Sequence, residues 1–255
     1  MRSHNTNQII NKNYQIDIPE FLNRGWEIFR ANFWNFVGFC LLSFITIYVL
    51  SQIPVLGGFL LYMIMPVVSA GYFFVAFNSR KAEFADFFNG FGSNYFFNLF
   101  WASLIAGLFI ALPALIALVC FSVIGYNPLR EIVSNMPEFD QISQLPELSV
   151  PNGSIPIFGI VGLLALGVAT YLSIAYSFAI PLIVDRKMKP WEAIETSRRL
   201  ISKKWWSFAA FSFVLSVINL LGLLTMFGTF LTSPFTNCAM AAAYEKIVGL
   251  DQPNT

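Results

Sequence analysis

The sequence carries little charge for its length. Of its 255 residues, 11% are charged and 56% are hydrophobic, whereas soluble globular domains carry about 25% charged residues. A chain of this length with so few charges cannot cover a surface that faces water. The composition therefore excludes an ordinary soluble protein and predicts a polytopic membrane protein. The formal net charge of +1 points to no partner by itself, and we expect no binding to nucleic acid.

The sequence also lacks the residue patterns of common enzymes and metal sites. Its only histidine is His4, and its three cysteines stand alone within apolar segments. It has no zinc-protease motif, no nucleophile elbow and no phosphate-binding loop. We therefore expect no catalytic residue, no metal and no cofactor. No acid or base lies in the middle of an apolar segment, which argues against a proton-coupled pump. Asp185 and Glu245 lie at the ends of such segments, where we expect local pairing.

Six apolar segments are long enough, or nearly so, to cross a bilayer, which takes about 20 residues. The first four cover approximately 33–50, 59–77, 99–124 and 157–184. The last block, 206–244, is too long for one crossing, and LLGLLTMFG predicts a turn that divides it. In a five-span alternative the C-terminal tail would lie outside, and only Lys246 argues against it.

Lysine and arginine sort to one side of the six-span arrangement. Every one of them except Arg130 falls in a tail or in a connection on the same side. By the positive-inside rule, both termini are then cytoplasmic, in the bacterial cytoplasmic (inner) membrane. The outside segment, about 125–156, is predicted to be a loop with a short helix near PLREIVSNM. It acts either as a solvated cap over the bundle or as a docking or gating loop.

Three amphipathic segments precede the outgoing spans, at 19–33, 82–97 and 190–204. Each begins a unit made of an amphipathic helix, a span out, a turn and a span back. The sequence thus predicts three repeats of about 19–81, 82–189 and 190–250. They form one membrane domain, 19–250, between the cytoplasmic tails 1–18 and 251–255. The predicted fold class is all-α, with six transmembrane helices and three cytoplasmic interfacial helices.

Each amphipathic segment is predicted to lie at the headgroup level of the membrane, with an apolar stripe on one face. The stripes comprise Leu22, Trp26, Phe29, Phe33 and Phe36 in the first, Phe84, Phe87, Phe88, Phe91 and Tyr95 in the second, and Trp191, Ile194, Ile201 and Trp205 in the third. Asp17 is predicted to cap the first helix. Glu195 is predicted to pair with Arg199 across one turn of the third.

Basic and aromatic residues cluster where the first and third segments would meet lipid headgroups. The predicted site for anionic lipid comprises Arg24, Arg30, Arg198, Arg199, Lys203, Lys204, Trp205 and Trp206. Each basic residue near an anionic surface contributes about 1 kcal/mol. The alternative is that these charges only set the orientation of the protein in the membrane.

The polar residues inside the later spans are neutral. They include Asn219, Asn237, Ser173 and Ser177. Such residues either join helices by hydrogen bonds or line a narrow polar path through the membrane.

Four short motifs carry a family resemblance. They are GWEIFRANFWNF, EFADFFNGF, the P-W-E-A-x-x-x-S pattern that begins at Pro190, and the P-x-x-x-x-A-x-x-A-Y pattern that ends at Tyr244. Together they resemble a largely uncharacterised group of bacterial multi-pass membrane proteins, related to the membrane domain of glycerophosphoryl diester phosphodiesterases. The sequence contains no phosphodiesterase domain, so the resemblance implies a fold without that activity.

Two functions remain open from the sequence. The first is a non-enzymatic accessory or scaffold protein whose interfacial helices engage anionic lipid or a cytoplasmic protein partner. The alternative is a small transporter or lipid-translocating protein with a path between the repeats. A continuous cavity lined by Asn219, Asn237 and the serines would favour transport, and a fully packed core would favour scaffolding.

Overall fold

The computed structural model describes residues 14–78, 82–134, 154–225 and 227–250, and these ranges contain helices but no strand. In chain order the helices are α1 (Ile18–Ala31), α2 (Phe33–Ser51), α3 (Leu56–Phe77), a 3-10 helix (Phe84–Phe91), α4 (Ser93–Ser134), α5 (Ser154–Ala175), α6 (Ala179–Arg186), α7 (Pro190–Ser202), α8 (Trp205–Leu224) and α9 (Thr229–Ile247). The predicted all-α class is confirmed.

Within the described part of the chain, five segments are long and apolar enough to cross a membrane. They are Phe33–Ser51, Leu56–Phe77, Ser93–Val119, Gly159–Arg186 and Trp205–Leu224. These segments support a transmembrane protein. The predicted division of the last apolar block is confirmed, since α8 and α9 are separate helices. The more polar α9 is not among the five, so a sixth span is not confirmed.

The third and fourth apolar segments differ from their predicted bounds. Helix α4 continues to Ser134, ten residues into the segment predicted to lie outside the membrane, and it includes the first part of the short helix predicted near PLREIVSNM. The remainder of that loop, 135–153, lies outside the described residues. The fourth segment is not one continuous helix, since α5 ends at Ala175 and α6 begins at Ala179.

The described residues form two compact units. In the unit made of 14–105 and 174–250, α1 packs along α9, while α3 contacts α2, the 3-10 helix, α6 and α9. Gly25 allows the close approach of α1 and α9, because a Cβ atom added there would lie 2.5 Å from Cα of Ala239. The second unit comprises 106–134 and 154–173. Large apolar side chains such as Leu118 and Leu163 are exposed in it, as expected for lipid-facing helices.

The first amphipathic segment buries a different face from the one predicted. Asp17 caps α1 as expected, since its carboxylate accepts a hydrogen bond from the backbone N–H of Glu20. The buried residues, however, are Phe21, Gly25, Ile28 and Phe29, and Trp26 is 51% exposed. Phe29 belongs to the predicted stripe, and the buried face is rotated from it toward Phe21 and Ile28 because it packs on α9.

The second amphipathic segment is not a single α-helix. It forms the 3-10 helix, which ends at Phe91, and α4 begins at Ser93 after the capping residue Gly92. Of the predicted stripe, Phe87 is completely buried, whereas Phe84, Phe88 and Phe91 are exposed. The Phe87 ring stacks on Phe39 with the centroids 4.2 Å apart. Phe87 is thus the main anchor of the segment, while Phe88 also contacts Phe39 and Tyr95 is half-buried against Phe74.

The third segment matches the prediction more closely. Ile194 and Ile201 on α7 are buried, but Trp191 is 57% exposed and Leu200 and Ser197 are buried in its place. Helix α7 packs against α6. Its apolar face is thus covered by protein, which sequence periodicity alone cannot distinguish from burial in lipid.

Candidate functional site

A groove runs beside α8 and α9 and is lined by most of the neutral polar residues of these two helices. Its volume is about 590 Å³. Helix α8 contributes Ser212, Ser216 and Asn219, and α9 contributes Thr229, Ser233, Thr236 and Asn237. Both asparagines predicted for a polar path therefore lie in the lining.

Asn219 has a structural role as well as a place in the groove. Its amide Nδ2 donates to Oγ1 of Thr236 on the next helix, with the two atoms 3.1 Å apart. Nδ2 of Asn237 donates to the carbonyl of Ser233, one turn earlier in its own helix, at 2.9 Å. The two predicted roles, joining helices by hydrogen bonds and lining a polar path, are therefore compatible. The hydrogen bond between Asn219 and Thr236 joins two helices and also forms part of the groove wall.

The other side of the groove comes from α3 and from the interruption between α5 and α6. Ser69 lies on α3, and Ser177 lies in the interruption itself. Ser173, the fourth residue predicted for a polar path, is not in the lining. It is exposed on α5, and its hydroxyl donates to the carbonyl of Ala169 at 2.8 Å. The structure thus brings Ser177 to the asparagines and leaves Ser173 apart.

Two hydroxyl groups in the groove lack a partner within the described part of the chain. They are Oγ of Ser177 and Oγ1 of Thr229, and both atoms are buried. A buried hydroxyl without a hydrogen bond costs about 1–3 kcal/mol. Both groups can donate and accept, so the groove offers bonds to a molecule that enters it.

The interruption that presents Ser177 is held by a side chain from α7. Ser197 is completely buried. Its hydroxyl donates to the carbonyl of Ala175 at 2.7 Å and accepts from the backbone N–H of Phe178 at 3.1 Å. One side chain therefore supplies partners to two backbone groups that the helix leaves open. Ser197 is the serine of the P-W-E-A-x-x-x-S pattern, and this role was not predicted.

Pro181 explains why the helix is interrupted where it is. A proline inside a helix has no N–H, and its ring clashes with the carbonyl four residues earlier, which here belongs to Ser177. The chain forms a turn at 176–178 and resumes as α6. The apolar pattern predicted one span over approximately 157–184, with Ser177 inside it.

The predicted basic cluster on α7 is partly neutralised by a carboxylate. The predicted pair of Glu195 and Arg199 is confirmed, with Nε of Arg199 2.6 Å from a carboxylate oxygen. Arg198 also donates to Glu195, through Nε and Nη2, both at 2.8 Å. Hydrogen bonds from Arg198 and then Arg199 lower the pKa of Glu195 to about 2. An anionic headgroup at these arginines would compete with Glu195.

The remaining residues of the predicted lipid site make different contacts. Nη1 of Arg24 pairs with Glu27 at 3.0 Å and its Nε with Glu245 at 3.5 Å, so Arg24 joins α1 to the end of α9. Arg30 and Lys203 are exposed. Nζ of Lys204 lies 5.8 Å from the ring centroid of Tyr14.

Trp205 and Trp206 differ in exposure although their rings are in contact. Trp206 is 81% exposed and Trp205 is half-buried. Trp34, at the start of α2, is also 81% exposed. Helices α2 and α8 thus each carry an exposed tryptophan as their second residue, as in the aromatic belts of membrane proteins.

A second polar cluster joins the end of α6 to the C-terminal end of the described chain. Asp185 and Arg186 pair at 3.4 Å and are nearly buried. The hydroxyl of Tyr244 donates to Asp185 at 2.8 Å, and Nη2 of Arg186 donates to the carbonyl of Gly249 at 2.9 Å. Local pairing is therefore confirmed for Asp185, and for Glu245 through Arg24.

We interpret the groove and the polar cluster at Asp185 from their own residues. Comparisons with protein-family models, with curated proteins and with solved structures found no match.

Proposed function

We propose that this chain is a small transporter of the lipid-translocating type, and that the groove beside α8 and α9 is its path. The groove is the observation that carries the proposal. It places neutral polar groups from α8, α9 and α3 around a space of about 590 Å³, within a protein whose composition suits a membrane. A fully packed core in this region would have favoured a scaffold.

The interrupted helix adds support to this proposal. Discontinuous membrane helices commonly form the binding sites of transporters, because their unwound backbone can face a cavity. Here Ser177 lies in the interruption between α5 and α6 and also in the groove lining. A helix break that only relieved strain at Pro181 would have no need to face a polar space.

We further propose six spans in the bacterial inner membrane with both termini cytoplasmic, α9 being the sixth. The charge distribution supports this orientation. The order of a short helix followed by two long helical segments, which recurs from α1, from the 3-10 helix and from α7, supports three repeats. We also propose, from the four short motifs, that the chain is related to the membrane domain of glycerophosphoryl diester phosphodiesterases.

A second candidate is the accessory or scaffold function with anionic lipid at the cytoplasmic face. The exposed Trp34 and Trp206 favour it, because such side chains anchor a protein at the headgroup level. Arg30 and Lys203 are also exposed. Glu195 weakens this candidate, since it offsets part of the positive charge of α7.

Reconstituted vesicles test the proposed translocation. The purified chain is incorporated into liposomes that contain NBD-labelled phosphatidylcholine, phosphatidylglycerol or glucosylceramide, and dithionite then bleaches the label in the outer leaflet. We expect the protein to bring inner-leaflet label of at least one lipid to the outside. Bleaching that stops at the outer-leaflet fraction for all three lipids would contradict the translocation function.

Two tryptophan variants on α8 connect the activity to the groove. Ser216→Trp places an indole in the groove, and Leu221→Trp places one on the opposite face of α8, where Leu221 is 58% exposed. We expect Ser216→Trp to abolish the translocation and Leu221→Trp to preserve it. Equal activity in both variants would locate the path elsewhere.

A further inference from the structure

We propose that four aromatic rings form a gate at one end of the groove, and that a hydrogen bond from Tyr244 to Asp185 holds this gate closed. The rings of the aromatic gate belong to Phe77, Phe178, Phe208 and Tyr244. This inference rests on the proposed function in that it concerns the same groove, and it adds how access to the groove is regulated.

The aromatic gate lies one helical turn beyond the last lining residues. On α3 the last lining residue is Phe73, and Phe77 follows it by four residues. On α9 the last lining residue is Met240, and Tyr244 follows it by four residues. Four residues make about one turn of a helix, so both rings lie just beyond the same end of the groove.

The other two rings come from the remaining walls of the groove. Helix α8 enters the lining at Ser212, and Phe208 precedes it by four residues. Phe178 follows Ser177, which lines the groove from the interruption between α5 and α6. Helices α3, α8 and α9 and the interruption therefore each supply one ring at this end.

The four rings are in contact from one wall of the groove to the other. Tyr244 is central, since its ring centroid lies 5.2 Å from that of Phe77 and 5.4 Å from that of Phe178. The Phe178 centroid lies 5.1 Å from that of Phe208. Phe178, Phe208 and Tyr244 are completely buried. The rings therefore form a continuous layer between the groove and the C-terminal ends of α6 and α9.

One hydrogen bond ties the central ring to α6. The hydroxyl of Tyr244 donates to Oδ2 of Asp185 at 2.8 Å, and the Asp185 side chain is 6% exposed. Hydrogen bonds to an ionised carboxylate are roughly twice as strong as those between neutral groups. Separation of α6 from α9 opens the gate and breaks this bond. The Tyr244 hydroxyl thus sets the balance between the closed and the open groove.

The short helix α6 gives the gate a means of opening. It has eight residues, Ala179–Arg186, and the turn at 176–178 separates it from α5. It can therefore tilt without the unwinding of a whole span. A transporter exposes its binding site to the two sides of the membrane in turn, and a groove closed at one end by movable rings meets this requirement.

Thiol labelling tests the gate directly. A chain with alanine at its native cysteines carries Ser212→Cys, which lies in the groove one turn from Phe208. A membrane-impermeant methanethiosulfonate is added to vesicles that contain this chain, on the side where a cysteine at 255 reacts. We expect Tyr244→Phe to raise the labelling rate about tenfold, since it removes one bond to a charged group and keeps the ring. An unchanged rate would overturn the gate.

Two matched controls separate gate opening from a general loosening of the protein. Tyr62→Phe removes a hydroxyl that donates to the carbonyl of Ser103 outside the groove lining, so labelling of Ser212→Cys should not change. Phe213→Cys lies beside Ser212 on α8 but outside the lining, where Phe213 is 69% exposed, and its rate should not respond to Tyr244→Phe. An equal rise in either control would overturn the gate.

A second variant tests the rings without a change to the bonded pair. Phe77→Leu removes the ring that covers Tyr244 from α3. We expect labelling of Ser212→Cys to rise about threefold, because a contact between two rings contributes less than the bond to Asp185. A rate equal to that of the native gate would contradict the role of the rings.

Labelling separates this inference from the proposed function, because it reports the gate without any movement of lipid. Faster labelling in Tyr244→Phe, in a protein that moves no lipid, would leave the gate standing and refute translocation. Translocation by the native chain together with unchanged labelling in Tyr244→Phe would refute the gate alone.

Discussion

The substitution Ser197→Ala should open the interruption between α5 and α6. In the native protein the Ser197 hydroxyl joins the carbonyl of Ala175 and the N–H of Phe178 at 2.7 and 3.1 Å. Alanine fits the same space but leaves both backbone groups without this partner. Because Ser197 is completely buried, water is poorly placed to replace the hydroxyl.

The expected loss of stability follows from these two bonds. A buried backbone group without a partner costs about 1–3 kcal/mol. Two such groups at the lower end of that range lower the free energy of unfolding by about 2 kcal/mol. Ser173→Ala removes a hydroxyl that is exposed and bonded within its own helix, so we expect a change within about 0.5 kcal/mol.

Equilibrium unfolding in mixed micelles of rising dodecyl sulfate content measures both free energies. Hydrogen exchange at the amide of Phe178 adds a readout that a simple packing defect would not change, and we expect its protection to fall in Ser197→Ala alone. The reasoning fails if Ser197→Ala and Ser173→Ala unfold alike. It also fails if Phe178 keeps its protection in Ser197→Ala.

Three further predictions concern packing, pH and topology. Gly25→Val should destabilise the protein by more than about 2 kcal/mol in the same unfolding assay, because a Cβ would meet the α9 backbone, whereas Gly58→Ala, with nothing within 4 Å, should have little effect. The pKa of Glu195 is about 2 when folded, against an ordinary value of 4.5. The ion pairs of Glu195 with Arg198 and Arg199 therefore stabilise the folded protein above about pH 4.5, and this contribution is lost as the pH falls toward 2. A melting temperature that falls as steeply with acid in Glu195→Gln as in the native protein would contradict this. Cysteines placed at 130–150 and 250–255 should react with an impermeant reagent from opposite sides of the membrane, and labelling from one side would exclude six spans.

The sequence predicts where the helices lie better than it predicts the interruption between α5 and α6. Four prolines lie in the apolar segments, and three of them, Pro66, Pro113 and Pro234, lie inside helices that continue. Only Pro181 follows a break. What distinguishes it is Ser197, which satisfies the freed backbone groups from a helix that begins later in the chain. No local pattern can report a partner 19 residues away.

The amphipathic segments show a similar limit. Periodicity correctly indicated that α1 and α7 each have one apolar face, but the apolar faces are covered by α9 and α6 and were expected to face lipid. The predicted stripe of the second segment divided for a further reason. Gly90 and Gly92 disfavour an α-helix, and the 3-10 helix that forms turns only Phe87 and Gly90 inward.

The polar site was predictable in composition and not in geometry. Asn219, Asn237 and Ser177 were identified because neutral polar residues are uncommon in apolar helices. Thr236 was missed, since its contact with Asn219 depends on how α8 and α9 pair. In the basic cluster, sequence spacing indicated one arginine on Glu195 and the folded helix places two there.

An experimental structure of the full chain in a lipid nanodisc tests the central claim most directly. We predict elongated density in the groove that runs between Ser177 and Thr229 along Leu215 and Leu223. The tryptophan of Ser216→Trp should remove that density, and Leu221→Trp should leave it in place. A groove filled by protein side chains, or density unchanged in Ser216→Trp, would contradict the claim that this groove is a lipid path.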